Sequence, residues 1–238
     1  MNYLITQFYI HPSKLRGKVA ERLKSAHGKE SFLRDCMNTV ESYASTVGVP
    51  YLLVDEPEDP YRHPACERLR LLYEKRFREY DAILYLDADV KVMSDESIFQ
   101  FAERDALVVA DRWYSEPTNE EFNKSKAIKN ARSFYRKFLK NREAERVLKY
   151  EFNSGVILFG ADTLPAMERN LDWDRVRDKL AYQDQIELNY LAYLGAESGD
   201  FRYEKISKHW NELRPNQNTR FNHIKNSLGT SWDVGRLP

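Results

Sequence analysis

Cysteine is scarce: the chain of 238 residues has two, Cys36 and Cys66. Two cysteines make no disulfide framework, and neither has a partner at zinc-binding spacing, so both are expected to be buried free thiols. An excess of one charge is also missing. Lys plus Arg and Asp plus Glu stand at 37 each, which removes the long-range attraction that a binder of nucleic acid or anionic membrane relies on. No stretch approaches the roughly 20 apolar residues of a transmembrane segment. The apolar start, Met1 to Ile10, carries no basic flank and no small-residue cleavage site, so a soluble cytoplasmic protein without a signal peptide is the expectation. Glycine is sparse too, and none falls in Gln7 to Pro12 after the first apolar run. A glycine-rich phosphate loop is therefore absent from the place where a nucleotidyltransferase would carry one.

Aromatic residues are plentiful, with 15 Tyr and 12 Phe, and apolar residues make up 42% of the chain. That suffices for one α/β domain with a pocket able to stack rings. Tyr3 to Ile10, Tyr51 to Val54, Ala82 to Leu86, Ala106 to Ala110 and Phe152 to Phe159 read as strands. Helical spacing of Phe32, Cys36, Val40, Tyr43 and Val47 predicts a helix from Ser31 to Gly48. The same logic predicts helices over Ala65 to Tyr80, within Glu120 to Lys149, and over Tyr182 to Leu194 with Gly195 as its stop. His11 to Glu30 reads as an inserted loop with a helical turn, and Ser198 onward as irregular. Alternating strands and helices imply a mainly parallel sheet covered on both faces. Residues 1–238 read as one domain, with 1–110 as a nucleotide-binding half and 111–238 as an acceptor half.

The sharpest chemical feature is Tyr85-Leu86-Asp87-Ala88-Asp89-Val90. Two aspartates separated by one residue leave the carboxyl end of an apolar strand, where open α/β sheets bind ligands. Carboxylates there can hold a hard divalent cation, which in turn can bridge a diphosphate. The same pattern also suits a turn or a helix cap, so residues elsewhere must decide.

Those residues follow in order. Cys66-Glu67-Arg68-Leu69 precedes Leu84-Tyr85-Leu86-Asp87-Ala88-Asp89; then come Phe152-Asn153-Ser154-Gly155-Val156 and Asp184-Gln185-Ile186-Glu187-Leu188-Asn189; His209-Trp210-Asn211 and His223 lie near the end. This series resembles the family-eight glycosyltransferases of the GT-A fold, the glycogenin and bacterial galactosyltransferase type. Each piece is short, and the resemblance rests on their order from Tyr3 to Trp232. It implies a GT-A domain that moves a sugar from a nucleoside-diphosphate sugar, uridine diphosphate-sugar first, to a glycan or other hydroxyl acceptor, with retention of configuration. Mn²⁺ (or Mg²⁺) is the implied cofactor, held by Asp87, Asp89 and His223, with His209 a weaker candidate. A mixed oxygen and nitrogen set suits Mn²⁺ better. Asp87 would also meet the ribose. Arg68 would sit by the donor sugar and diphosphate, Asn153 and Asp184 would bind sugar hydroxyls, and Gln185 would lie near the anomeric carbon. Phe8 and Tyr9 are candidates for the nucleobase, or for the core.

The chain departs from the family in several places. Ile224 replaces a Phe of the closing motif, Thr230-Ser231 replaces a Lys-Pro, and Lys225 is the substitute offered for the lysine that steadies the diphosphate. Ile186 stands where a second carboxylate would follow Asp-Gln, and the insertion at His11 to Glu30 falls where the family binds the base. Two alternatives from other classes stay open. One is a haloacid-dehalogenase-like phosphatase, which also uses Asp-X-Asp after a strand, although Lys91 occupies the position of its Thr or Val. The other is a silent module that binds nucleotide-sugar without consuming it.

Overall fold

The first apolar run forms strand β1 (Tyr3–Phe8) of this computed structural model, which describes residues 1–23, 30–111, 133, 135–136, 139, 141–176, 183–212 and 216–224. Helices α1 (Gly17–Leu23) and α2 (Glu30–Val47) follow, then β2 (Tyr51–Val54), β3 (Ala82–Asp87), the short β4 (Val90–Val92) and β5 (Ala106–Ala110). Next come α3 (Asn141–Val147), β6 (Val156–Gly160), α4 (Thr163–Glu168), α5 (Trp173–Val176), α6 (Gln183–Ser198), β7 (Arg202–Ile206) and β8 (Phe221–His223).

Six strands form one sheet in the order β2-β1-β3-β6-β5-β7. β6 runs antiparallel to both β3 and β5, while the other pairings are parallel. Alternation along β3 sends Ile83 and Tyr85 to one face and Ala82, Leu84 and Leu86 to the other. The first face packs on Leu69, Phe77, Leu164 and Leu188; the second packs on Val40 and Tyr43 of α2 and on Trp210 and Phe221. Period-two geometry therefore puts Tyr85 and Asp87 on the same side of the sheet.

Several sequence expectations are corrected. Ala65 to Tyr80 is not one α-helix but two 3₁₀ helices, Pro64–Leu72 and Lys75–Glu79. The reason is burial on consecutive positions: Cys66, Glu67, Arg68 and Leu69 are all buried, which a one-faced helix cannot provide. Gly195 does not end α6, which runs on to Ser198 with Gly199 at φ 76° beyond it. A Cβ on Gly195 would lie 2.0 Å from the Phe201 ring, so the glycine is there for close packing. The tail is not wholly irregular, since it supplies β7 and β8. α2 buries Leu33 where Phe32 was expected. Most of the predicted 120–149 helix lies outside the described residues. Both cysteines are free and buried, as expected; burial pushes the Cys36 thiol up to about 11 and Cys66 well up too, so both stay protonated. Among the described residues no helix is long and apolar enough to cross a membrane.

Phe77 is fully buried against Phe8, with ring centroids 6.2 Å apart. Phe77→Ala is expected to cost about 3–5 kcal/mol of unfolding free energy. Urea denaturation measures this, and a loss under about 1 kcal/mol would show that the ring is not part of the core.

Candidate active site

Asp87 ends β3, and the register Leu86↔Val156 sets the Asn153-Ser154-Gly155 segment beside it. The Asp87 N–H donates to the Gly155 carbonyl at 2.8 Å. From the other neighbour, Gln7 Nε2 donates to the Asp87 carbonyl at 3.0 Å, and the Tyr51 hydroxyl donates to Gln7 Oε1 at 2.8 Å. The backbone of the first aspartate is thus fixed from both sides.

Its side chain is fixed as well. Asp87 Oδ1 accepts from the Tyr85 hydroxyl and lies 3.1 Å from Arg68 Nη1. Burial pushes the Tyr85 phenol well above its ordinary pKa, so it remains a donor. Arg68 is buried at the centre of the site. Its Nη1 also donates to the Ser154 carbonyl at 3.0 Å and hydroxyl at 2.9 Å, its Nε donates to the Ala65 carbonyl at 3.1 Å, and its Nη2 lies 2.6 Å from Asp184 Oδ2. That last contact is an ion pair without hydrogen-bond alignment, since Asp184 Oδ2 is buried and accepts no hydrogen bond. Burial opposes the charge on Arg68, but Asp184 and Asp87 outweigh it and hold the guanidinium charged.

His223 reaches the same point through β8. β8 pairs antiparallel with β4, so His223 faces Val90 and the Ile224 N–H donates to the Asp89 carbonyl at 3.1 Å. His223 Nε2 stands 3.3 Å from Asp89 Oδ1 and 3.6 Å from Asp87 Oδ2. Its Nδ1 is buried without a hydrogen-bond partner among the described residues. Gly155 makes room for the ring: a Cβ there would lie 2.4 Å from His223 Cε1 and Nδ1. Glu212 holds this segment in place. Its N–H donates to the Phe221 carbonyl and its carbonyl accepts from the His223 N–H, both at 2.9 Å, while its carboxylate accepts from Thr219 Oγ1 at 2.7 Å and Asn216 Nδ2 at 3.1 Å.

One ligand atom from each of Asp87, Asp89 and His223 can be chosen so that all lie within 4.8 Å of one another. Two atoms each about 2.1 Å from one cation sit roughly 3–3.6 Å apart at the usual angles, so the observed separations fit a divalent ion. The charge fits as well. Among the described residues Asp87 and Asp184 share the Arg68 guanidinium, and Asp89 stands beside Asp87 at His223, a set of carboxylates that a dication would balance.

A cavity of about 210 Å³ opens beside the carboxylates. Arg68, Asp87 and Asp89 border it, with Phe8, Tyr9 and Ile10 from the end of β1. Phe8 is nearly buried in the core and also meets the cavity; Tyr9 is half-buried, edge-on to His11. Gln185 joins the cluster by accepting from Ser154 Oγ at 3.3 Å. Asn153 is buried; its Oδ1 accepts from the Gly155 N–H at 2.9 Å and its carbonyl accepts from Asn211 Nδ2 at 3.0 Å. His209 is not in the cluster and instead lies 3.1 Å from Glu212. Lys14, from the basic segment after β1, is tied to Asp55 and Glu56. Lys225 lies outside the described residues.

Sequence reasoning quoted Tyr85, Ser154 and Asn211 within its motifs but gave them no role, and it missed two imidazoles. His11 and His63 each precede a proline and cap a 3₁₀ turn by accepting a backbone N–H, from Ser13 and Ala65 respectively. The repeated His-Pro dipeptide was the available signal, and Pro12, His63 and Pro64 all border the cavity.

The sheet and its flanking helices have the GT-A glycosyltransferase fold. A glycosyltransferase involved in glycosylation of the major capsid of PBCV-1 matches over 96% of this chain and 96% of its own, with TM-score 0.52 and 15% identity. A mutant Drosophila β1,4-galactosyltransferase 7, in complex with manganese, UDP-Gal and xylobiose, matches over 100% of this chain and 77% of its own, with TM-score 0.51 and 11% identity. At such identities the likeness establishes the fold. No protein-family model and no curated protein matches the sequence.

Burial raises the Asp87 pKa, with Arg68 and His223 opposing and Asp89 adding to the rise. A carboxyl with a higher pKa folded than unfolded favours the folded state in acid and gives that up as pH rises from about 4. Arg68→Ala removes the main opposing charge. It is expected to cost about 3–5 kcal/mol at pH 7 and clearly less at pH 5, as Asp87 takes up a proton. Urea unfolding at both pH values checks this; an equal loss at both would count against Arg68 as the counter-charge.

Proposed function

We propose that this chain is a metal-dependent glycosyltransferase that takes a sugar from a nucleoside-diphosphate sugar and passes it to a hydroxyl acceptor. The observation that carries the reading is the convergence of Asp87, Asp89 and His223 beside a ring-sized cavity at the carboxyl end of β3. The GT-A fold supports it, and the ordered motifs support a family-eight relationship within that fold.

In this reading Asp87 Oδ2, Asp89 and His223 Nε2 hold a divalent cation, Mn²⁺ before Mg²⁺. When bound, the cation supplies Lewis-acid stabilisation of the departing diphosphate. Tyr85 and Arg68 engage Asp87 Oδ1, which leaves Oδ2 turned toward His223. Arg68 places a permanent positive charge against the diphosphate side of the cavity. Phe8 and Tyr9 offer an aromatic wall for the base. Asn153, Asp184 and Gln185 meet the sugar, with Gln185 nearest the anomeric carbon. Asp184 is held by Arg68 Nη2 at 2.6 Å, so its carboxylate is turned to the guanidinium and not to an acceptor hydroxyl. This favours transfer with retention over displacement by an acceptor that Asp184 has activated. Residues 1–110 form the nucleotide side and 111–238 the acceptor side, with His223 returning to the first half.

Asp89→Asn is expected to abolish Mn²⁺-dependent hydrolysis of a nucleotide-sugar and to remove the thermal stabilisation that Mn²⁺ with a nucleoside diphosphate gives the wild type. At a ligand concentration of 100 Kd that stabilisation is about 2.7 kcal/mol. Turnover by the wild type that persists undiminished in EDTA would refute the metal role.

A further inference from the structure

The cavity beside Asp87 and Asp89, with its Phe8 and Tyr9 wall, is also lined by residues to which the proposed sugar transfer gives no part. They include Ile10, Pro12, Leu23 and Leu33, and Glu30 is the acidic residue among them. Glu30 opens α2, where the helix dipole favours an ionised carboxylate.

The carboxylate is also oriented. The Ser13 N–H donates to His11 Nδ1 at 3.2 Å, so Nδ1 is the acceptor and Nε2 the donor of this ring. His11 Nε2 then donates to Glu30 Oε1 at 2.8 Å. A proline-led cap thus fixes an imidazole, and the imidazole fixes a carboxylate in the wall of an apolar slot.

We infer that Glu30, positioned by His11, reads the nucleobase of the donor and selects bases whose Watson–Crick edge carries a ring N–H. The inference rests on the nucleotide-sugar reading of the same cavity. A carboxylate only accepts hydrogen bonds. Uracil, thymine and guanine offer it a ring N–H. Cytosine and adenine set a ring-nitrogen lone pair at that place, beside their amino groups, and the carboxylate repels it. The two members of the pair, His11 and Glu30, stand at the two ends of the insertion after β1.

The test is calorimetric titration of the full chain with UDP, GDP, CDP and ADP in the presence of Mn²⁺, for the wild type and Glu30→Gln. One of UDP and GDP is expected to bind the wild type at least about tenfold more tightly than CDP and ADP, the scale of one hydrogen bond to a charged group. In Glu30→Gln the ratio is expected to fall to about threefold or less, because an amide can turn its NH₂ toward a ring lone pair. Thermal melts without nucleotide check that the variant is folded. Similar binding of all four diphosphates by the wild type, or an unchanged ratio in the variant, overturns the inference and leaves the transferase reading standing. Binding of none of the four overturns both.

Discussion

A buried guanidinium organises this molecule. Arg68 meets Asp87 from β3, Asp184 from the start of α6, and Ser154 from the segment leading into β6. A charge in that position is tolerable only while its partners stay in place, so the three elements are locked to one another. The same constraint accounts for the unusual 3₁₀ path of Pro64–Leu72. That path buries Arg68 and Glu67 together and turns them to opposite duties, Arg68 toward the carboxylates and Glu67 toward the Glu58 N–H and Arg70.

The second organising feature is the return of the chain at β8. His223 lies far in sequence from Asp89, yet pairing of β4 with β8 brings its ring within 3.3 Å of that carboxylate. Glu212 closes the loop behind it, and Gly155 leaves the ring its space. These arrangements act on one imidazole from three directions, so an orientation that no single contact could impose is well defined.

Some of this was legible in the residues and some was not. The strands through Tyr51, Ala82 and Ala106 could be read because buried strands are short, apolar and β-branched. The grouping of Asp87, Asp89 and His223 was suggested by the order of short motifs along the chain, and the fold brings the three together. The 3₁₀ helices could not, because their burial comes from tertiary partners and not from periodicity. Gly195 misled for a similar reason: a glycine that admits a neighbour's ring looks, in sequence, like one that ends a helix. The short β4 and β8 pair gave little signal, since three-residue strands exist only by virtue of each other.

The sequence alone determined the alternation of strands and helices, the position of the two aspartates at a strand end, and the buried, unpaired state of both thiols. Local propensity and hydrophobic period settle such matters within a few residues. Only the tertiary structure decided that Arg68 would pair with both Asp87 and Asp184, that the Gly155 backbone would open a seat for His223, and that His11 would aim Glu30 into the cavity. Each of these is a contact between segments that share no local pattern, and it forms because buried charge and polar groups must find partners wherever the fold brings them.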